Sequence, residues 1–263
     1  MAFGTLYLVP VTLGGDAVDD VIPAQAQQHV RTLEHFVVEN AKSARAFLKL
    51  IGMRQPMQQL QLETLNEHTS DADLARLAAP LHAGHHLGLL SEAGCPGVAD
   101  PGAKLVRYAH ARGMRVVPLV GPSSILLALM GSGLNGQRFA FHGYLPVAEP
   151  ERSKALRRLE RDSRSLGQTQ IFIETPYRNP KMLQSILAAC APETLLCIAT
   201  DLTLADEDIR TMPVAAWKTN LPRLERRPSL FLLLASDGPG QNDLQRRPSS
   251  LIPEKEGNAQ HRK

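Results

Sequence analysis

Short apolar runs alternate along the chain with stretches of helical period, and that alternation predicts an α/β fold. Thr5–Val9 is apolar and short enough for a first strand, which Pro10 ends. Residues 35–40 read as a second strand. Over residues 41–51 a helix places Ala44, Phe47, Leu48 and Ile51 on one stripe, with Gly52 just past its end. Residues 60–65 alternate weakly as a strand, and Thr69 or Ser70 caps a helix over 71–82. The apolar run 86–90 suits a buried strand, and 115–120 another. Ser123 is placed to cap an apolar helix over 125–130. Further on, helices are predicted over 151–165, 181–190 and 214–218, and strands over 169–174, 195–199, 208–212 and 227–234.

Between the run ending at Leu90 and a helix in which Leu105, Val106 and Ala109 share a face lies Ser91-Glu92-Ala93-Gly94-Cys95-Pro96-Gly97-Val98-Ala99-Asp100-Pro101-Gly102. From Gly94 onward, three glycines and two prolines fall within nine residues, which no helix or strand interior tolerates. Strand, glycine-rich turn and helix in that order make the place where an open α/β sheet holds a ligand, outside the carboxyl ends of its strands. Glycines there let a ligand approach the backbone. A tight crossover loop without a ligand is the other reading, and composition alone leaves both open. The loop after the first strand, residues 11–16, carries no G-x-G-x-x-G and so no dinucleotide fingerprint.

The order of residues in the central loop resembles the S-D-A-G-T-P-G-I-S-D-P-G loop of the tetrapyrrole methylase superfamily, with Glu92 for Asp, Cys95 for Thr and Ala99 for Ser. The resemblance is closest to the branch that methylates the ribose 2′-O of a cytidine in small-subunit ribosomal RNA. Other segments follow in the family's order. Pro10 and Gly14 match V-P-T-P-I-G-N. Glu39 keeps the Glu of A-E-D-T-R, while Asn40, Ala41 and Lys42 replace the rest. Gly121-Pro122-Ser123-Ser124 is similar to P-G-P-S-A, and 139–146 to the F-x-G-F-L-P crossing into a second domain. Glu174, Pro176 and Arg178 match F-Y-E-S-P-H-R, with Tyr177 for His; 200–203 is similar to A-R-E-L-T, and Pro228-Ser229 opens the closing strand.

The resemblance implies two α/β domains with S-adenosylmethionine in the cleft between them, and a homodimer. It implies cofactor contacts from Pro10, Ser91, Glu92, Ala93, Gly94, Val98, Ser123, Ser124, Tyr177, Thr200 and Ser229. The expected division is an N-terminal domain over 1–137, a C-terminal domain over 138–238, and a disordered tail over 239–263, where Pro, Gly, Gln, Ser and charge dominate.

Composition changes this picture little. The chain is 43% hydrophobic and 21% charged, ordinary for a soluble globular protein. No apolar run approaches the ~20 residues that span a bilayer, and no basic-then-apolar start marks a signal peptide. Cys95, Cys190 and Cys197 are odd in number and form no CxxC pair, which argues for reduced thiols in the cytoplasm and against zinc. His82, His85 and His86 read as a solvated helix end rather than a metal site. The net charge is a mild +3, and the surplus lies in the second half: 19 Lys and Arg against 15 Asp and Glu from Arg138 onward. There Arg157, Arg161 and Arg164 share a helical face, either a solvated face or a phosphate-binding one.

The function expected is S-adenosylmethionine-dependent methyl transfer to small-subunit ribosomal RNA. An in-line displacement on an already activated methyl asks the protein to position, orient and exclude water. A ribose hydroxyl is a weak nucleophile that needs a base, and Glu39, Glu67 and His68 lie at strand ends facing the expected cleft. Glu39 also reads as a complement to a helix dipole, and His68 as a surface loop residue. Two rival functions stand beside this one. One is a methylase of tetrapyrroles or another small molecule. The other is a binding protein that keeps the cofactor without turnover, for which the altered Asn40, Ala41 and Lys42 speak.

Overall fold

A parallel sheet must have both faces covered, and the chain achieves this with one helical layer on each side. The computed structural model describes residues 2–66 and 68–236; Glu67 and the expected tail over 239–263 lie outside the described residues. The first sheet contains β1 (Thr5–Val9), β2 (His35–Val38), β3 (Gln61–Thr64), β4 (Leu87–Leu90) and β5 (Arg115–Pro118), all parallel, in the order β3-β2-β4-β1-β5. Side chains alternate across it. Phe36, Val38 and Leu90 enter one core with α1 (Val18–Val21), α2 (Ala24–Val30) and α3 (Ala41–Ile51). Val37, Leu87 and Leu89 enter another with α4 (Asp71–Leu77), α5 (Ala79–His82) and α6 (Ala103–His110).

Two helix starts in this half carry side-chain caps. Asn40 accepts from the N–H groups of Lys42 and Ser43, and Ser70 forms a reciprocal capping box with Asp73. The helix expected over 71–82 is two helices meeting at Ala78, because Pro80 cannot continue the hydrogen-bond ladder. The histidines at its end have separate partners: His82 meets Phe3 edge-on, His85 lies 5.2 Å from His35, and His86 accepts from the Thr5 N–H.

After α7 (Ser124–Ser132) the second sheet forms from β6 (Phe139–Tyr144), β7 (Thr169–Ile173), β8 (Leu195–Thr200), β9 (Asp208–Pro213) and β10 (Ser229–Leu234), in the order β6-β7-β10-β8-β9. β6 pairs parallel to β7, and the remaining pairs are antiparallel. Phe172, Phe231 and Leu233 pack with α8 (Glu149–Leu166), α9 (Asn179–Ala189) and α10 (Val214–Trp217), where Trp217 is fully buried and donates to the Leu196 carbonyl. Leu230, Leu232 and Ala199 face the other way, onto α7. So α7 follows the first sheet in sequence but packs against the second. The runs without a clear period, α1, α2 and β6, are the ones the apolar pattern does not mark.

Gly88 in β4 illustrates how closely the first sheet is packed. A Cβ there would stand 2.7 Å from Phe36 Cδ1 and 3.1 Å from Leu33 Cδ1, both buried. Gly88→Val should therefore cost about 1–3 kcal/mol by overpacking. In urea the midpoint should fall with the slope unchanged.

Candidate functional site

Strand order in the first sheet reverses between β4 and β1, which makes the carboxyl ends of those strands the switch point where open α/β sheets form their crevice. The loops after β1, β4 and β5 meet there. Val11 and Gly94 exchange backbone hydrogen bonds of 2.9 and 3.0 Å. Gly121 lies against Pro10 so closely that a Cβ would fall 2.3 Å from the proline ring. The Cys95 thiol donates to the Pro122 carbonyl at 3.3 Å.

The loop's far end is tied down by Asp100, which accepts from the Gly97 and Gly102 N–H groups at 2.7–2.9 Å. Burial pushes the Asp100 carboxyl above its usual range, and these two amides partly offset that. Gly94 has φ 70°, and a Cβ there would press on Leu13 Cδ2 at 3.2 Å. The loop's own conformation and packing thus call for a glycine here.

Across from these loops stand the ends of the second sheet. Between them is a cleft of about 280 Å³, lined by Leu13, Ala93 and Ser124 on one side and by Tyr144, Ile173, Glu174, Pro176, Asp201, Leu202, Leu204, Pro228, Ser229 and Leu230 on the other. Small-molecule sites run from about 300 Å³ upward and combine apolar walls with a few polar groups, so the size lies at the lower edge and the lining matches.

Two arginines stiffen the far wall. Arg227 Nε donates to Asp201 Oδ2 at 2.5 Å, and its terminal NH2 to the Asp206 carbonyl at 2.6 Å. The Arg227 carbonyl accepts from Asn179 Nδ2 and Ser229 Oγ. Asp201 and Thr203 have positive φ without being glycine, and these bonds hold that strained turn in place. Arg178 makes two hydrogen bonds to the buried Glu174 carboxylate, at 2.9 and 2.6 Å. Burial alone would raise the Glu174 carboxyl, but Arg178 and the Thr175 amide outweigh it and the net value lies below the ordinary one.

Of the residues singled out in the sequence, Ala93, Ser124 and Ser229 line the cleft, and Pro10 supports it through Gly121. Ser123 caps α7 by accepting from the Leu126 N–H. Ser91 and Glu39 line a small neighbouring recess with Asp100 and Gly102. The Glu92 carboxylate accepts from Ser43 Oγ at 3.5 Å. Val98 is exposed, as is Tyr177, whose hydroxyl accepts from Arg178. Thr200 is buried and donates to the Asp208 carbonyl. The His68 backbone N–H donates to Asn66 Oδ1, and Glu67 lies outside the described residues.

Glu39 has two acidic neighbours. Burial pushes its carboxyl above the usual range; the Glu92 and Asp100 carboxylates add to that, while a bond from the Glu92 amide opposes it. Leu13, Leu204 and Tyr144 are wall residues that sequence reasoning missed, since single apolar or aromatic residues in loops and at strand ends carry no motif.

The family described as Tetrapyrrole (Corrin/Porphyrin) Methylases matches residues 5–217. A protein of Xylella fastidiosa named Ribosomal RNA small subunit methyltransferase I is 31% identical over 240 residues, covering 91% of this chain and 84% of its own. One of the same name from Pseudomonas aeruginosa is 31% identical over 82% of this chain and 72% of its own. Among solved structures, the methyltransferase CobJ superposes with a TM-score of 0.57 at 16% identity over 89% of this chain and 95% of that one, a likeness of fold.

Arg227 should prove the main support of the cleft's far wall. Arg227→Gln removes charge-assisted bonds from a partly buried pair, at a cost of about 1.5–3 kcal/mol. Thermal denaturation should show that loss, and calorimetry should show weaker binding of S-adenosylmethionine.

Proposed function

The chain belongs to the tetrapyrrole methylase family and is an S-adenosylmethionine-dependent methyltransferase; we propose that its acceptor is small-subunit ribosomal RNA, at the ribose 2′-O of a cytidine. The observation that carries the acceptor is the match to relatives named for that RNA over most of both chains.

We place the methyl donor in the cleft between the two sheets, with the domains dividing near residue 137. The donor supplies an already activated methyl group. Leu13, Leu202, Leu204 and Leu230 form apolar walls that exclude water, and Ser124 and Ser229 offer hydroxyls to its polar parts. Pro10, Ser91, Glu92, Ala93, Gly94 and Ser123 shape the loops around it, and Val98, Tyr177 and Thr200 complete the proposed set. Arg227 and Arg178 hold the far wall through their ion pairs with Asp201 and Glu174.

Glu39 is the proposed acceptor of the ribose hydroxyl proton, with Glu67 and His68 as the alternatives. Its carboxyl sits at the carboxyl end of β2, and its raised pKa makes it a better base than an exposed glutamate. Methyl transfer to small ribosomal subunits lacking the modification tests the acceptor: labelled methyl should appear on a cytidine ribose, and a parent protein that labels only tetrapyrroles, or nothing, would refute it. Because the Glu39 carboxyl is raised, the rate should fall with decreasing pH at values above the ordinary glutamate range of about 4.3. Glu39→Gln should remove that limb and slow single-turnover transfer by about 10²–10⁴-fold with donor affinity unchanged.

We also propose a homodimer located in the cytoplasm; no helix among the described residues is long and apolar enough to cross a membrane. Val120 in the loop after β5 and Leu126 and Met130 of α7 are 72%, 51% and 78% exposed, an apolar surface that a second copy would cover. Sedimentation of Leu126→Glu with Met130→Glu should show the monomer mass where the parent shows twice that.

A further inference from the structure

The first sheet carries a basic groove outside the cleft. Leu74 of α4 and Lys104, Arg107, Tyr108 and Arg112 on and just after α6 line a depression of about 440 Å³. The Arg112 guanidinium stacks 3.6 Å over the Tyr108 ring. Arg107 and Arg112 form no ion pair among the described residues. No Asp or Glu occurs between Asp100 and Glu149, so α6 and the turn after it bring cations to the groove without a carboxylate of their own. Its upper end reaches the catalytic side of the sheet: Lys104 Nζ donates to the Thr69 carbonyl, next to His68 and beyond the end of β3.

We infer that this groove binds the phosphodiester backbone of the RNA acceptor and so positions its ribose over the strand ends; the inference rests on the acceptor proposed above. From Lys104 to Arg112 the helical rise is about 12 Å, which lays the cations out as a row along a strand rather than as a pocket for one small anion. Phosphate contacts of this kind set register and leave base identity to other groups. A base or ribose edge can rest on Tyr108 beside the stacked guanidinium.

The basic face of α8 lies elsewhere. α8 packs on the side of the second sheet opposite α7 and the cleft, and Arg164 there faces Glu193 at 4.0 Å. That helix carries the larger number of arginines but not the location.

The test uses the full chain and a fluorescent single-stranded 20-nucleotide RNA of mixed sequence, titrated at several potassium chloride concentrations. Each phosphate contact on a single strand contributes about 0.7 to the log–log salt slope, so Arg107→Gln with Arg112→Gln should lower its magnitude by about 1.4. Donor affinity should stay at the parent's value. A charge-matched pair on α8, Arg157→Gln with Arg161→Gln, should keep the parent's slope. A slope untouched by the groove pair, an equal fall for both pairs, or a parent that binds no RNA overturns the inference. Methyl transfer by the parent to ribosomal subunits is scored separately. Transfer with a slope indifferent to the groove pair refutes the groove alone. Absence of transfer refutes the acceptor, while the slope still reports on the groove.

Discussion

Two backbone hydrogen bonds between Val11 and Gly94 hold the site together, because they fasten the loop after β1 to the loop after β4 where the strand order reverses. A parallel sheet brings all its carboxyl ends to one edge, but the loops leaving that edge have no ladder of their own. The bridge supplies one. With it in place, Leu13 lies over Gly94, Cys95 reaches Pro122, and the loop after β5 packs on Pro10 through a glycine that admits no side chain. Three crossovers thereby become one wall, and Ala93 and Ser124 are presented to the cleft from it.

The opposite wall is held by charge. Backbone bonds also link its turns, from the Asp201 N–H to the Pro228 carbonyl and from the Arg226 N–H to the Pro176 carbonyl, and Asp201 and Thr203 adopt left-handed backbone at a cost of about 1–3 kcal/mol each. Arg227 offsets this by tying β8, β10 and α9 through one guanidinium and one carbonyl. α7 joins the two walls. It begins at the first wall with Ser124 and packs on the second sheet, so the two walls are joined through a helix.

Much of the fold was legible because its strands are buried and its helices amphipathic: α3 runs over the residues its stripe predicts, and Ser70 and Ser123 cap as their positions require. β6 was not, since an edge strand interrupted by Gly143 has neither a continuous apolar run nor clean alternation. Within the site, the central loop was found by its glycines and prolines, and the fold adds structural reasons for them. Gly94 serves the bridge, and Asp100, which no motif reading emphasised, folds the loop by accepting two amides. The far wall was visible only as scattered family-like fragments. Its roles depend on pairs such as Asp201 with Arg227, separated by 26 residues, and such pairing is a property of the fold rather than of any local pattern.

Charge is divided along a single loop and the helix it feeds. Glu39, Glu92 and Asp100 gather at the carboxyl ends of β2 and β4, where burial, and then the charges of Glu92 and Asp100, raise the carboxyl of Glu39. Immediately beyond Asp100 the chain turns basic through α6. A polyanion is repelled from the first region and drawn to the second. An RNA strand is thus kept with its phosphates on α6, while only an uncharged part of a nucleotide, its ribose or base, can approach the acidic end of the loop without electrostatic cost. The same separation keeps the raised carboxyl apart from the arginines, whose positive charge would lower its pKa.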